Sequence, residues 1–126
     1  MAPLRILIVD DKESVRTGVR LLLQSRGDWI ICGEACDGEE AVEMAAATRP
    51  DIVLLDVSMP KMDGLTALPL IREKSPGSQV IVLTLHESLD LARIASKSGA
   101  AAFITKSLLS ELLPALEALQ PDQTRT

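Results

Sequence analysis

Two kinds of apolar pattern alternate along this chain. Leu4–Asp11 (LRILIVDD), Asp51–Asp56 (DIVLLD), Val80–Thr84 (VIVLT) and Ala101–Lys106 (AAFITK) are short runs rich in Ile, Val and Leu, each closing on a polar residue. Runs this short and uniformly apolar predict strands of a parallel sheet buried on both faces. Trp29–Ala35 (WIICGEA) reads as one more strand; Gly33 within it and no reactive residue at its end suit an edge position. Between the runs, apolar residues recur at helical spacing. Ser14–Arg26 places Val15, Val19, Leu22 and Leu23 on one face, with Gly27 as the stop. Asp37-Gly38 predicts a turn, and Glu39–Thr48 an Ala-rich helix that stops before Pro50. After the loop Val57–Asp63 (VSMPKMD) and Gly64, the next helix runs to about Lys74 and exits through Ser75-Pro76-Gly77, with Pro69 expected to kink it or delay its regular part. Ser88–Ser98, closed by Gly99, turns Leu91, Ile94 and Ala95 inward. Leu108–Leu119 puts Leu112, Leu116 and Leu119 on one face, and Pro114 disturbs its start. Strand and helix alternating throughout is the mark of repeated βαβ units, so the expected class is α/β with a doubly wound parallel sheet. Residues 1–120 make one domain, and the polar segment 121–126 reads as a loose tail or the start of a linker.

Composition narrows the function classes. At 47% hydrophobic and 25% charged residues, the chain has the balance of a soluble globular protein. No apolar run approaches the roughly 20 residues of a membrane span, and Asp10 and Asp11 come too early for a signal peptide, so a cytoplasmic setting is expected. A formal charge of -5 argues against nucleic-acid binding by this domain alone, because phosphate contacts need a basic surface. Cys32 and Cys36 lack the companions a metal site needs, and read as reduced, partly buried thiols.

The chemistry lies at the strand ends. Parallel strands bring their C-terminal ends to one edge of the sheet, where open α/β folds bind ligands. Asp10, Asp11, Asp56, Thr84 and Lys106 are thereby expected to converge. Singly each has an ordinary explanation: Asp10-Asp11 could serve as an N-terminal signal for the first helix, Thr84 as a strand residue, Lys106 as a solvated cation. Their joint placement is what those explanations leave out. Close carboxylates repel unless a cation intervenes, and an all-oxygen set suits Mg²⁺ completed by a phosphate. Lys106 adds a second positive charge, and Thr84 a hydroxyl for a phosphoryl oxygen. Carboxylates form aspartyl-phosphates, and Asp56, ending the most apolar strand, is the best nucleophile.

In order and spacing, ILIVDDKESVR, GEACDGEEAVE, PDIVLLDVSMPKMDGL, VIVLTLHE and GAAAFITKSLLSEL span nearly the whole chain. With these motifs the chain resembles the receiver domain of bacterial two-component response regulators, above all the subclass preceding a LuxR-type helix-turn-helix output domain. The resemblance implies a flavodoxin-like five-stranded parallel sheet, order 2-1-3-4-5, with five helices. It implies Asp56 as phosphoacceptor, Asp11, Asp56 and the Ser58 carbonyl as direct Mg²⁺ ligands, and Asp10 as a ligand through water. It also implies phosphoryl contacts from Thr84 and Lys106, and an aromatic switch at Phe103. The implied partners are a sensor histidine kinase, a second copy docking through the Ser88–Leu119 face, and DNA through a separate output domain. Such a domain takes part in its own phosphorylation and dephosphorylation but is not an enzyme acting on a separate substrate. The alternative is a stand-alone receiver or phosphate sink acting by protein–protein interaction. This sequence departs from many receivers at Ser107, where Pro is common, and at bulky Leu85; Ser58 and His86 occupy positions that tune loss of the phosphoryl group. Three other classes fit less well. An FMN binder wants a hydroxyl- and glycine-rich phosphate loop, an aspartate-based phosphohydrolase wants a carboxylate where Ser58 stands, and a pseudo-receiver would have lost an acidic or lysine position.

Overall fold

All five apolar runs form strands in the computed structural model, which describes residues 4–25, 27, 29–57, 64–84, 89–105 and 112–119. In chain order the elements are β1 (Arg5–Val9), α1 (Glu13–Gln24), β2 (Ile30–Ala35), α2 (Gly38–Thr48) and β3 (Ile52–Asp56). They continue with α3 (Gly64–Lys74), β4 (Gln79–Thr84), α4 (Leu89–Lys97), β5 (Ala102–Thr105) and α5 (Leu112–Leu119). Every neighbouring pair is parallel, and the strand order is β2-β1-β3-β4-β5. The expected fold is therefore the observed one, with β3 in the middle and β2 at an edge.

Alternation along the strands explains the two cores. Leu7, Val9, Val53, Leu55, Val80 and Val82 point to one face and pack with Ala41, Ala45, Ala67, Leu68, Ile71 and Ala95 of α2, α3 and α4. Ile6, Ile8, Ile52, Leu54, Ile81 and Leu83 point to the other, against Val19 and Leu23 of α1 and Leu112 and Leu116 of α5. A central strand with neither face free has no polar position to spare, hence the unbroken IVLL of β3. On β1 the register to β2 shifts between Ile6 and Leu7, which skips Cys32 and brings Gly33 opposite Leu7. A Cβ on Gly33 would collide with the Met44 methyl of α2, so the small residue lets that helix sit close.

Some expectations need correction. Ile94 does not face inward; it is 48% exposed, whereas Ala95 is fully buried. The seam of α4 runs through Ala95, with Ala92 and Ser98 half-buried beside it, and one residue's rotation carries Ile94 to the flank. Cys32 is half-buried as expected, but Cys36 is exposed, because β2 has ended and the chain is turning into α2. Helix α2 starts at Gly38, with Asp37 as its cap. Helix α3 continues through Pro69, whose ring lies on the exposed side; Pro114 is an exposed residue of α5, whose expected start at Leu108 lies outside the described residues. Among the described residues, no helix is long and apolar enough to cross a membrane.

Candidate functional site

Register places the acidic residues. Val9 of β1 pairs with Leu55 of β3, so the residues that follow, Asp10 and Asp56, stand side by side at the C-terminal edge. Both are buried, Asp10 to 2% and Asp56 to 1% exposure, while Asp11 is exposed at the rim. One carboxylate oxygen from each can be chosen so that all three lie within 4.8 Å of one another. At such a separation the two buried carboxylates, if both ionised, repel by roughly 3 kcal/mol at an effective dielectric of about 20. A cation between them turns that repulsion into attraction. Three hard oxygen donors, one of them open to water, fit Mg²⁺, which binds through few carboxylates and keeps several waters.

The turn carrying Asp10 and Asp11 is held by the main chain. Asp10 N–H donates to the Ala35 carbonyl at 3.1 Å, continuing the β1–β2 ladder one residue past the strand. Asp10 Oδ1 accepts the Lys12 N–H at 3.0 Å. Lys12 is the N-cap of α1 and makes no side-chain cap bond of its own.

Thr84 ends β4, the neighbour of β3, one residue beyond the Asp56–Leu83 pair, and is fully buried. Phe103 pairs with Val82 on β5 and packs, half-buried, against the core on the α2–α3–α4 side. Lys106 follows β5 directly in sequence, since Thr84 pairs with Thr105. Lys106, Ser58 and His86 themselves lie outside the described residues, as does the segment 121–126.

Three residues at this edge were not singled out from the sequence. Gly64 opens α3 so close to the end of β3 that a Cβ would fall on the Asp56 carbonyl oxygen and within 2.7 Å of Val57 Cα. Its place after Asp63 was the available signal. Arg16 of α1 donates from Nη1 to the Asp10 carbonyl at 2.7 Å and from Nε to Glu34 of β2 at 3.2 Å. Glu34 also accepts from Arg20. No spacing rule links residues 16 and 34, which meet only once β2 lies beside β1.

Comparison with known proteins agrees with the fold. The family described as response regulator receiver domain matches residues 6–117. The nitrate/nitrite response regulator protein NarL of Escherichia coli (strain K12) is 38% identical over 115 residues, which is 90% of this chain and 53% of NarL. A crystal structure of a LuxR-family two-component response regulator from Aurantimonas sp. SI85-9A1 superposes with a TM-score of 0.86 at 35% identity, covering 91% of this chain and 83% of that one. The signal receiver domain of the putative response regulator NarL from Mycobacterium tuberculosis gives a TM-score of 0.86 at 31% identity, covering 94% of this chain and 98% of that one. The chain spans about half the length of the curated relatives it matches. On its motifs, its strand order and these matches, the chain belongs to the response regulator receiver domain family.

Proposed function

We propose that this chain is the phosphoacceptor switch of a cytoplasmic two-component signalling protein, with Asp56 as the residue that carries the phosphoryl group. The observation that carries this reading is the convergence of Asp10, Asp11 and Asp56 within 4.8 Å at the end of the central strand. Asp11 and Asp56, with the carbonyl of Ser58, would hold Mg²⁺ directly, and Asp10 would hold it through water. Bound there, the ion supplies positive charge to the carboxylates and to the phosphoryl oxygens.

The remaining chemistry falls to the chain's own groups. A carboxylate oxygen of Asp56 attacks phosphorus on the phosphohistidine of a sensor kinase. The P–O bond forms as the P–N bond breaks, and that electron pair returns to the kinase's histidine ring. Rigid placement at a strand end holds Asp56 for in-line approach. The Thr84 hydroxyl donates to one phosphoryl oxygen, and the Lys106 ammonium pairs with another, as the spread of charge in phosphoryl transfer requires. Attack of water on phosphorus later returns Asp56 to its free carboxylate. Relatives named as a transcriptional regulatory protein and a DNA-binding response regulator of the LuxR family support an output that acts on transcription.

The test is intact mass spectrometry after incubation with acetyl phosphate and Mg²⁺. The unmodified sequence should gain one phosphoryl group, chelator should abolish the gain, and Asp56→Asn should show none. A full adduct on Asp56→Asn would sink the assignment.

A further inference from the structure

Arg16 stands on no strand end, yet it is tied to the acidic turn. From the first turns of α1 its Nη1 reaches back to the carbonyl oxygen of Asp10 at 2.7 Å. That oxygen belongs to the peptide unit joining Asp10 to Asp11. Rotating this one plane would swing the two carboxylates relative to each other, so whatever fixes it fixes their mutual geometry. Asp10 N–H is held by Ala35 and its side chain by the Lys12 N–H, which leaves the carbonyl as the remaining main-chain handle.

The guanidinium is itself immobilised. Its Nε donates to Glu34 Oε1 at 3.2 Å, and the other oxygen of Glu34 accepts from Arg20, one turn further along α1. The side chains of Arg16 and Glu34 are 16% and 27% exposed, so the link is sheltered on the flank of the sheet. A planar fork held at two points loses little further freedom when a ligand arrives.

On the reading that Asp10, Asp11 and Asp56 bind a divalent cation, we propose that Arg16, pinned by Glu34, is a positioning residue of that metal site. The sign of the effect separates this role from a purely electrostatic one. Arg16 is a cation near a cation site, so as a bare charge it opposes Mg²⁺, and its removal would tighten binding. As a positioning residue, its removal loosens binding. Arg16→Lys keeps the charge and loses the fork, whereas Arg16→Met loses both.

Mg²⁺ affinity is measured by isothermal titration calorimetry, with thermal melts in chelator run alongside. Both Arg16 variants should bind Mg²⁺ about 10-fold more weakly, the usual scale for groups that orient metal ligands. Glu34→Gln should weaken it in the same direction by less. If Arg16→Met fails to fold, Arg16→Lys and Glu34→Gln decide the matter. Mg²⁺ binding that is unchanged or tighter in the folded variants overturns the positioning role, even where the melt in chelator drops. Failure of the unmodified chain to bind Mg²⁺ overturns the metal reading itself, and this proposal with it.

Discussion

Asp11 differs from Asp10 and Asp56 in lying at the rim, exposed to water, and this separates its chemistry from the stability of the fold. On the proposed function, Asp11→Ala removes a metal ligand and also one of three neighbouring carboxylates. Mg²⁺ binding should weaken by at least about 10-fold, the scale at which even groups that only orient metal ligands act. The melting temperature in chelator should hold or rise, and the stabilisation gained on adding Mg²⁺ should shrink. Thermal melts with and without Mg²⁺ read both quantities, and a large loss in chelator would make Asp11 a structural residue instead. Gly64 tests the opposite case, a residue whose chemistry is absence. An added Cβ would meet the backbone of Asp56 and Val57, which cannot step aside without moving the proposed phosphoacceptor. Gly64→Ala should cost about 1–3 kcal/mol, the usual scale of overpacking, and slow phosphorylation. Gly33→Ala makes an equally close contact, but with the far end of the flexible Met44, and should cost much less. Denaturant unfolding of the two variants side by side checks the contrast; equal losses would show that the end of β3 yields as easily as a methionine tip.

At the scale of elements, the loop from β2 into α2 shows how a short polar sequence sets a boundary. Asp37 has extended backbone, and its Oδ1 accepts the Glu40 N–H at 2.8 Å, while Glu40 reaches back to the Cys36 N–H at 3.2 Å. This is the reciprocal arrangement of a capping box, displaced by one residue on the return bond. Asp37→Ala should lower stability by about 1 kcal/mol, measured by denaturant unfolding, with the fold retained. The same loop marks what could be read in advance. Uninterrupted apolar runs announced β1, β3 and β4 because a central strand buries both faces, and the residues just past Val9, Leu55 and Leu83 announced the site. Asp37-Gly38 announced a turn, but the cap moved the start of α2 one residue earlier than its composition suggested. Inward positions on α4 were less legible, because a nine-residue helix with two adjacent apolar candidates, Ile94 and Ala95, does not fix its own rotation. The bridge from Arg16 to Glu34 was not legible at all. It depends on β2 lying beside β1 and on α1 passing over that edge, which are tertiary facts.

For the whole molecule, a phosphoryl group on Asp56, as proposed, would have to be felt on a distant surface, and the sheet offers a path. Phe103 pairs with Val82, and Thr84 lies two residues beyond Val82, so Thr84 and Phe103 belong to the same face of neighbouring strands. The ring is half-buried, and beside it lies a cavity of about 210 Å³ lined by small residues including Ala92, Ser96 and Ala100. An aspartyl-phosphate at Asp56 would draw the Thr84 hydroxyl toward its oxygens, and the space so vacated would admit the Phe103 ring. Burying an aromatic that was half-exposed is favourable by up to a few kcal/mol, enough to bias a two-state surface by a factor of ten or more. The surface that answers would be 88–98, 102–106 and 108–119, where Ile94 already offers an exposed apolar side chain to a second copy or an output domain. Beryllium fluoride with Mg²⁺, which mimics the phosphoryl group, should change amide exchange in those three segments and raise the sedimentation coefficient where two copies dock. Phe103→Ala should remove the exchange response while leaving phosphorylation of Asp56 intact, because the ring lies downstream of the chemistry. Unchanged exchange in all three segments, with the mimic bound, would refute the switch and leave a phosphate sink as the reading that fits.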